Sequence, residues 1–359
     1  MKKILLVVVV FLLLIKSNVY AYDTSASSIV IDTDSGRVLY EKNADEKRLI
    51  ASITKIMTAV IAIENKNLDD VVIVGDEVNK MYGSNIYIKP GEKLRLRDLL
   101  YGLILRSGND AAVAIAYYVS GSEEDFVKMM NEKAKKIGMS NTTFRNCHGL
   151  DEETQNYSTA RDMSFLAKYA TKLFDYAEIA STKNYKLKTN YNSYSWINRN
   201  KLLKEYEYAT GGKTGYTPKA GKTFVSTASK NNLNLTIVTL SDNDMYNTHK
   251  ELYEYYFSKY KNVLIIDKDN ISFGNNPYGN LYVKNDFYYP LTEDEKEKVK
   301  VDVDLYNLTD FSSDDKIGEI YVTFDNDEIF RENVYVKNAK KDNESFFSKV
   351  LKFFSSLFD

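Results

Sequence analysis

The chain has 359 residues, with 48 Lys+Arg against 50 Asp+Glu and a formal net charge of −2. That length suits two domains, and a composition of 44% hydrophobic and 27% charged residues is globular, able to bury a sizeable core. With 4 Pro and 16 Gly, collagen-like and disordered classes are disfavoured, and the near-neutral balance lacks the basic stripe that binds nucleic acid.

Cys147 is the only cysteine, which excludes a disulfide within the chain; with two histidines, a zinc site would depend on carboxylates. No metal and no cofactor is expected. Met1-Lys2-Lys3 is a short basic start, followed by twelve apolar residues from Ile4 to Ile15 and small residues at Val19 and Ala21. This layout predicts a signal peptide over 1–21, and the apolar run is short for a membrane span. The protein is therefore expected to be exported, with a mature charge near −5.

Ser28 to Val30 and Arg37 to Tyr40 flank Asp34-Ser35-Gly36, a hairpin turn sequence. Leu99 to Leu105 and Ala111 to Val119 read as apolar helices on either side of a Gly-Asn break. Thr223 to Ala228 and Leu233 to Leu240 read as adjacent strands turning at Lys230-Asn231-Asn232. From about residue 270 the pattern becomes all-β, with Val299, Val301, Val303 and Leu305 alternating with polar residues and Ile320, Val322 and Phe324 doing likewise. After the polar stretch 338–343, Phe346, Phe347, Val350, Leu351, Phe353, Phe354, Leu357 and Phe358 form one apolar helical face, suited to lying in a membrane surface. The expected organisation is a mixed α/β domain over 22–268, a small β-sandwich over 269–340 and a membrane-associating amphipathic helix over 341–359.

Three short motifs carry the chemistry. Ser52-Ile53-Thr54-Lys55 has the form S-x-x-K, a pattern that recurs at Ser258 to Lys261 and Ser313 to Lys316. Only after Ser52 does an apolar helical face follow, which predicts Ser52 at a helix start with Lys55 one turn on, on the same side. A serine hydroxyl needs a nearby base, and a lysine serves if burial and positive neighbours lower its pKa. The helix start also offers backbone N–H groups for an oxyanion. Ser107-Gly108-Asn109 is an S-x-N at the break between the two apolar helices, where a loop can aim both side chains into a cleft. Lys213-Thr214-Gly215 occurs once and is expected to open an edge strand, its lysine and hydroxyl able to hold a carboxylate and its glycine to admit a substrate backbone. A phosphate loop is excluded because Glu207 and Tyr216 stand where its first glycine is needed.

In the order S-x-x-K, S-x-N, K-T-G, these motifs are the signature of penicillin-binding proteins and serine β-lactamases. The stretches DTDSGRVLYEKNADEKRLIASITKIMTA, KPGEKLRLRDLLYGLILRSGNDAA, NYSTARDM and GGKTGYTPKAGKTFVSTA resemble the low-molecular-mass penicillin-binding proteins that act as D-alanyl-D-alanine carboxypeptidases. The likeness runs from about Ser27 to Asp267, and KIGEIYVTFDNDEI resembles that family's C-terminal sandwich. It implies a β-lactamase/DD-peptidase-like fold, an antiparallel sheet flanked by helices. It also implies a substrate, the peptidoglycan stem peptide ending in D-Ala-D-Ala, with β-lactams as covalent inhibitors and the outer face of the cytoplasmic membrane or the cell wall as the place of action.

By the same resemblance Ser52 is the acylated nucleophile, Lys55 its base, Ser107 a proton relay and Asn109 the holder of the substrate amide. Lys213 and Thr214 bind the terminal carboxylate, Gly215 admits the substrate, and the N–H groups of Ser52 and Tyr216 form the oxyanion hole. Arg199, in Asn198-Arg199-Asn200, is a further carboxylate binder, although Lys201 and Lys204-Glu205 depart from the residues that often follow it. A Ser-His-Asp arrangement through His148 or His249 is disfavoured, since the chain has no G-x-S-x-G elbow. Alternatives are a non-catalytic wall-binding scaffold of the same fold, or a DD-endopeptidase or β-lactamase activity.

Overall fold

The computed structural model describes residues 22–271 and 276–337; the predicted signal peptide and terminal helix lie outside them. The described chain divides into two compact units, one up to Ser258 and one from Lys259.

The first unit is built on a five-stranded antiparallel sheet in the order β2-β1-β11-β10-β9, with β1 Ser25–Asp32, β2 Val38–Lys42, β9 Ala209–Thr217, β10 Gly221–Lys230 and β11 Leu233–Asp242. Both predicted hairpins form. The β10–β11 turn places Asn231 and Asn232 at positive φ, the conformation of a two-residue hairpin whose twist matches its strands. Small two-stranded ribbons pair β3 (Arg48–Leu49) with β6 (Tyr157–Ser158), β4 (Val71–Ile73) with β5 (Lys93–Arg95), and β7 (Asn184–Lys188) with β8 (Ser193–Ile197).

The central strands are buried on both faces, so β11 reads as a near-continuous Leu/Thr/Ile/Val run and β1 buries serines along with its Ile-Val-Ile stretch. Val225, Val238 and Leu240 join a helical core formed by α1 (Lys55–Asn65), α2 (Leu96–Leu105), α3 (Asn109–Ser120), α4 (Glu123–Lys136), α5 (Ala160–Thr171) and α6 (Phe174–Ser181). Towards the other face, Ser226 and Thr239 hydrogen-bond His249 of α8 (Met245–Lys259), and Phe224 stacks on its ring. A short α7 (Leu202–Glu205) leads into β9. Helix α1 is buried from Lys55 through Ala62, as expected of a helix that is apolar nearly all round.

The second unit has a two-stranded sheet, β12 (Lys261–Ile266) with β14 (Phe287–Leu291), and a four-stranded sheet β13-β17-β16-β15. The latter comprises β13 Asn280–Tyr282, β15 Val299–Leu305, β16 Lys316–Phe324 and β17 Asp327–Lys337. Ile266, Leu281, Ile320, Val322, Val334 and Val336 share one small core. The alternation read in 299–305 and 320–324 is a real strand pair, Val301 facing Val322. Strand β12 belongs here through its pairing with β14, whereas the sequence reading had kept everything through residue 268 in the first unit.

Candidate active site

Ser52 sits in a 3-10 turn, Ala51–Thr54, and the α-helix proper starts at Lys55. The expected helix start is therefore displaced by one turn, yet the two side chains still meet, with Lys55 Nζ donating to Ser52 Oγ at 3.0 Å. The turn is held from three sides. Ala51 has φ +48, an uncommon conformation for a residue with a side chain. Gly149 packs on it so closely that a Cβ there would lie 2.0 Å from the Ala51 carbonyl oxygen. Thr223 Oγ1 of β10 donates to the Ile50 carbonyl at 3.0 Å, and Asn156 Nδ2 donates to Thr54 Oγ1 at 3.0 Å.

Lys55 is fully buried and has two further acceptors, Asn109 Oδ1 at 2.7 Å and the main-chain carbonyl of His148. Burial pushes its pKa down to about 7; Cys147 and Asp110 pull it up, and Arg199 adds to the depression. A neutral amine keeps two hydrogens and one lone pair. The two carbonyl oxygens can only accept, so they take the hydrogens and leave the lone pair to the Ser52 hydroxyl. In its neutral form Lys55 can therefore take a proton from that one oxygen.

Ser107 and Asn109 occupy the break between α2 and α3, with Ser107 at φ +63. Asn109 Nδ2 donates to the Tyr82 carbonyl at 2.7 Å, which fixes its amide so that Oδ1 faces Lys55. Buried Asp110 accepts from the backbone N–H groups of Ile86, Tyr87 and Ile88 and so binds the 84–88 segment to the start of α3. Ser84 of that segment accepts from Arg199 Nη1 at 2.6 Å. Lys213–Gly215 lies inside β9, not at its opening, and β9 is an edge strand as expected. Lys213 Nζ donates to Ser107 Oγ at 3.1 Å. Burial first, then the charges of Lys55 and Arg199, hold its pKa well below the usual lysine value. The charge of Arg199 adds to the depression of both lysines.

Gly215 brings β9 against the 3-10 turn, where a Cβ would approach the Ser52 nitrogen to 2.8 Å. Thr214 is half-buried, and Tyr216 is 65% exposed at the rim. Thus Ser52, Lys55 and Asn109 form one hydrogen-bonded group and Ser107 with Lys213 a second, with Gly215 against the Ser52 turn and Arg199 linked to the 84–88 segment. The sequence reading missed the parts that present it: the His148 carbonyl, Asn146 and Asn156, Asp110, Tyr82 and Ser84. Asn156 does fall in the stretch NYSTARDM, and that position was the available signal. Asn156 Nδ2 donates to Asn146 Oδ1 at 3.0 Å, and Asn146 Oδ1 accepts from the His148 and Gly149 N–H groups, which shapes the turn carrying the His148 carbonyl.

The histidine rings stand outside the chemistry. His148 is held neutral, its pKa pushed down to about 3 by burial and Lys55, and its Nδ1 accepts from the Leu150 N–H. His249 is likewise pushed to about 3 by burial on the far side of the sheet. Cys147 is fully buried, its thiol pushed well up by burial. A polar cavity of about 370 Å³ adjoins the cluster, sharing Tyr82, His148 and Leu150 with its walls.

A serine beside a buried, deprotonable lysine, faced by S-x-N and K-T-G elements on an antiparallel sheet, defines the active-serine penicillin-recognising class. Residues 17–244 match the model of the D-alanyl-D-alanine carboxypeptidase family, and residues 258–342 match that of the penicillin-binding protein 5 C-terminal domain. The chain belongs to the D-alanyl-D-alanine carboxypeptidase family. It is 40% identical over 213 residues to the D-alanyl-D-alanine carboxypeptidase DacF of Bacillus subtilis, covering 58% of this chain and 54% of that protein. It is 38% identical over 256 residues to DacC of Escherichia coli, covering 67% of this chain and 63% of that protein. These alignments thus span between half and two thirds of the relatives' own length. Among solved structures, penicillin binding protein 5 of Haemophilus influenzae superposes with a TM-score of 0.73 at 27% identity, covering 89% of this chain and 98% of that one.

Proposed function

We propose that this protein is an exported serine D-Ala-D-Ala carboxypeptidase that removes the terminal D-alanine from peptidoglycan stem peptides. The observation that carries the reading is Lys55: a buried amine with pKa about 7, its hydrogens committed to two carbonyls and its third partner the Ser52 hydroxyl. Lys55 takes the Ser52 proton as Oγ attacks the carbonyl of the penultimate D-alanine. The N–H groups of Ser52 and Tyr216 hold the oxyanion, and the closeness of β9 to the Ser52 turn supports that pairing.

Asn109 holds the substrate amide, while Lys213, Thr214 and Arg199 hold the terminal carboxylate. Ser107, hydrogen-bonded to Lys213, passes a proton to the leaving amine and regains one from Lys55, so the proton taken from Ser52 departs with D-alanine. D-Alanine departs, and water attacks the ester to free the shortened peptide and Ser52. A β-lactam, acylating the same oxygen, gives an ester that persists. The Phe-rich segment 346–358 is read as holding the enzyme at the membrane surface.

The test is incubation with a fluorescent penicillin, peptide mapping of the label, and an assay of D-alanine release from a peptide ending in D-Ala-D-Ala. The label should map to Ser52 and vanish in Ser52→Ala, together with D-alanine release. A label on Ser258 or Ser313, or full labelling of Ser52→Ala, would refute the assignment.

A further inference from the structure

A cavity of about 390 Å³ lies between α5, α6 and the sheet, away from Ser52. Its walls are small. Ala167 of α5 and Ala177 and Ala180 of α6 face Gly211 and Gly212, the two residues of β9 just before Lys213. Gly212 has φ +135, and a Cβ there would lie 2.3 Å from the Val225 carbonyl oxygen, so the strand can only be bare at that point. The neighbouring core is filled by Leu, Ile, Met and Phe, whereas this cavity opens to solvent past Asp34, Lys172 and Thr210.

One wall residue points to an occupant. Tyr176 lines the cavity and is 3% exposed, yet its hydroxyl has no hydrogen-bond partner among the described residues. The hydroxyl is open to the cavity, and burial of the ring keeps this phenol protonated, a donor available to an occupant. At the mouth, exposed Lys172 and Asp34 bring one charge of each sign, and Asp34 already accepts from Asn234 Nδ2 at 2.8 Å. No charged side chain lines the interior, so the walls favour neither anion nor cation.

We propose that this cavity is a binding site for a small uncharged molecule with a largely apolar body and one hydrogen-bond acceptor, which the Tyr176 hydroxyl engages. The volume and the mostly apolar lining, with Tyr176 and a few threonine hydroxyls as its polar groups, are those of small-molecule sites. The proposal does not depend on the chemistry at Ser52.

The test is titration of the full chain with two probes by calorimetry: benzylacetone, an apolar ketone with a single acceptor, and butylbenzene, which has none. Both should bind saturably at one site. Tyr176→Phe should weaken benzylacetone roughly threefold to tenfold, the share of one neutral hydrogen bond, and leave butylbenzene unchanged. Ala177→Leu, which fills the cavity, should abolish both while the thermal transition persists; Ala167→Leu serves if that variant fails to fold. Failure of both probes to saturate up to their solubility would show a cavity holding only water and overturn the proposal. Undiminished binding in the filled variants, or equal weakening of both probes by Tyr176→Phe, would overturn it as well.

Discussion

Only unprotonated Lys55 has a lone pair for the Ser52 hydroxyl, and its pKa of about 7 sets where that form exists. Because the depression favours the neutral amine, acylation by penicillin should rise with pH through about 7 and level off above it, the proton being lost from the free enzyme's base. A rate that falls across this range would contradict Lys55 as the base. Lys55→Arg keeps the charge but stays protonated, so acylation should drop by about 10²–10⁴, the usual share of general-base catalysis. Asp110 belongs to the same scale without touching the reacting atoms. Asp110→Ala strands the Ile86, Tyr87 and Ile88 amides and should cost at least about 2 kcal/mol in a denaturant titration, whereas Asp110→Asn, which keeps an acceptor oxygen, should lose less. The motif side chains were legible because their chemistry resides in residue type and spacing. The His148 carbonyl was not, since every residue has a carbonyl and only the fold selects which one meets Lys55.

The element that matters most is the four-residue turn at Ala51–Thr54, which sequence periodicity merges with the helix behind it. Apolar spacing reports which face of a helix is buried, and it cannot separate a 3-10 entry turn from the α-helix that continues it. The hairpins and the strands β15 and β16 were legible because alternation and turn residues act locally. The place of β12 was not, because its partner β14 lies about twenty residues further on. Gly149 is the test of how the turn is held. Gly149→Ala would force a Cβ onto the Ala51 carbonyl at φ +88, so the turn must shift. The expected outcome is a stability loss of about 1–3 kcal/mol together with slower acylation of Ser52. Normal acylation in a folded Gly149→Ala protein would show that Ser52 does not depend on this contact.

At the scale of the whole molecule, the two units have separate cores, one shared by the helices and the five-stranded sheet and one within the small sheets. A chain ending at Lys259 should therefore still fold and still be labelled by penicillin, which a melting curve and a gel of labelled protein would check. Loss of labelling together with loss of the transition would mean that the first unit needs the second. Residues 344–359 sum to no net charge, so if the Phe-rich face anchors the protein, its co-sedimentation with vesicles should be nearly independent of salt and lipid charge. A chain ending at Asp342 should stay in the supernatant, and equal sedimentation of both forms would refute the anchor. The two-domain division and the order of motifs were readable from composition and pattern. The cavity behind β9 was not, since alanines and glycines scattered over four elements carry no joint signal until the fold assembles them.

The sheet's strand order has a consequence in time. β1 lies beside β11, and Thr24 donates to Asp242 across 218 residues of chain. A growing polypeptide cannot complete this sheet until β11 has been made, because the two innermost neighbours of β1 and β10 are one and the same late strand. Such long-range pairing slows folding and leaves one edge of β1 unpaired meanwhile. A polypeptide that must be threaded unfolded through a narrow channel would gain from that delay, since its central sheet cannot close before this last strand arrives.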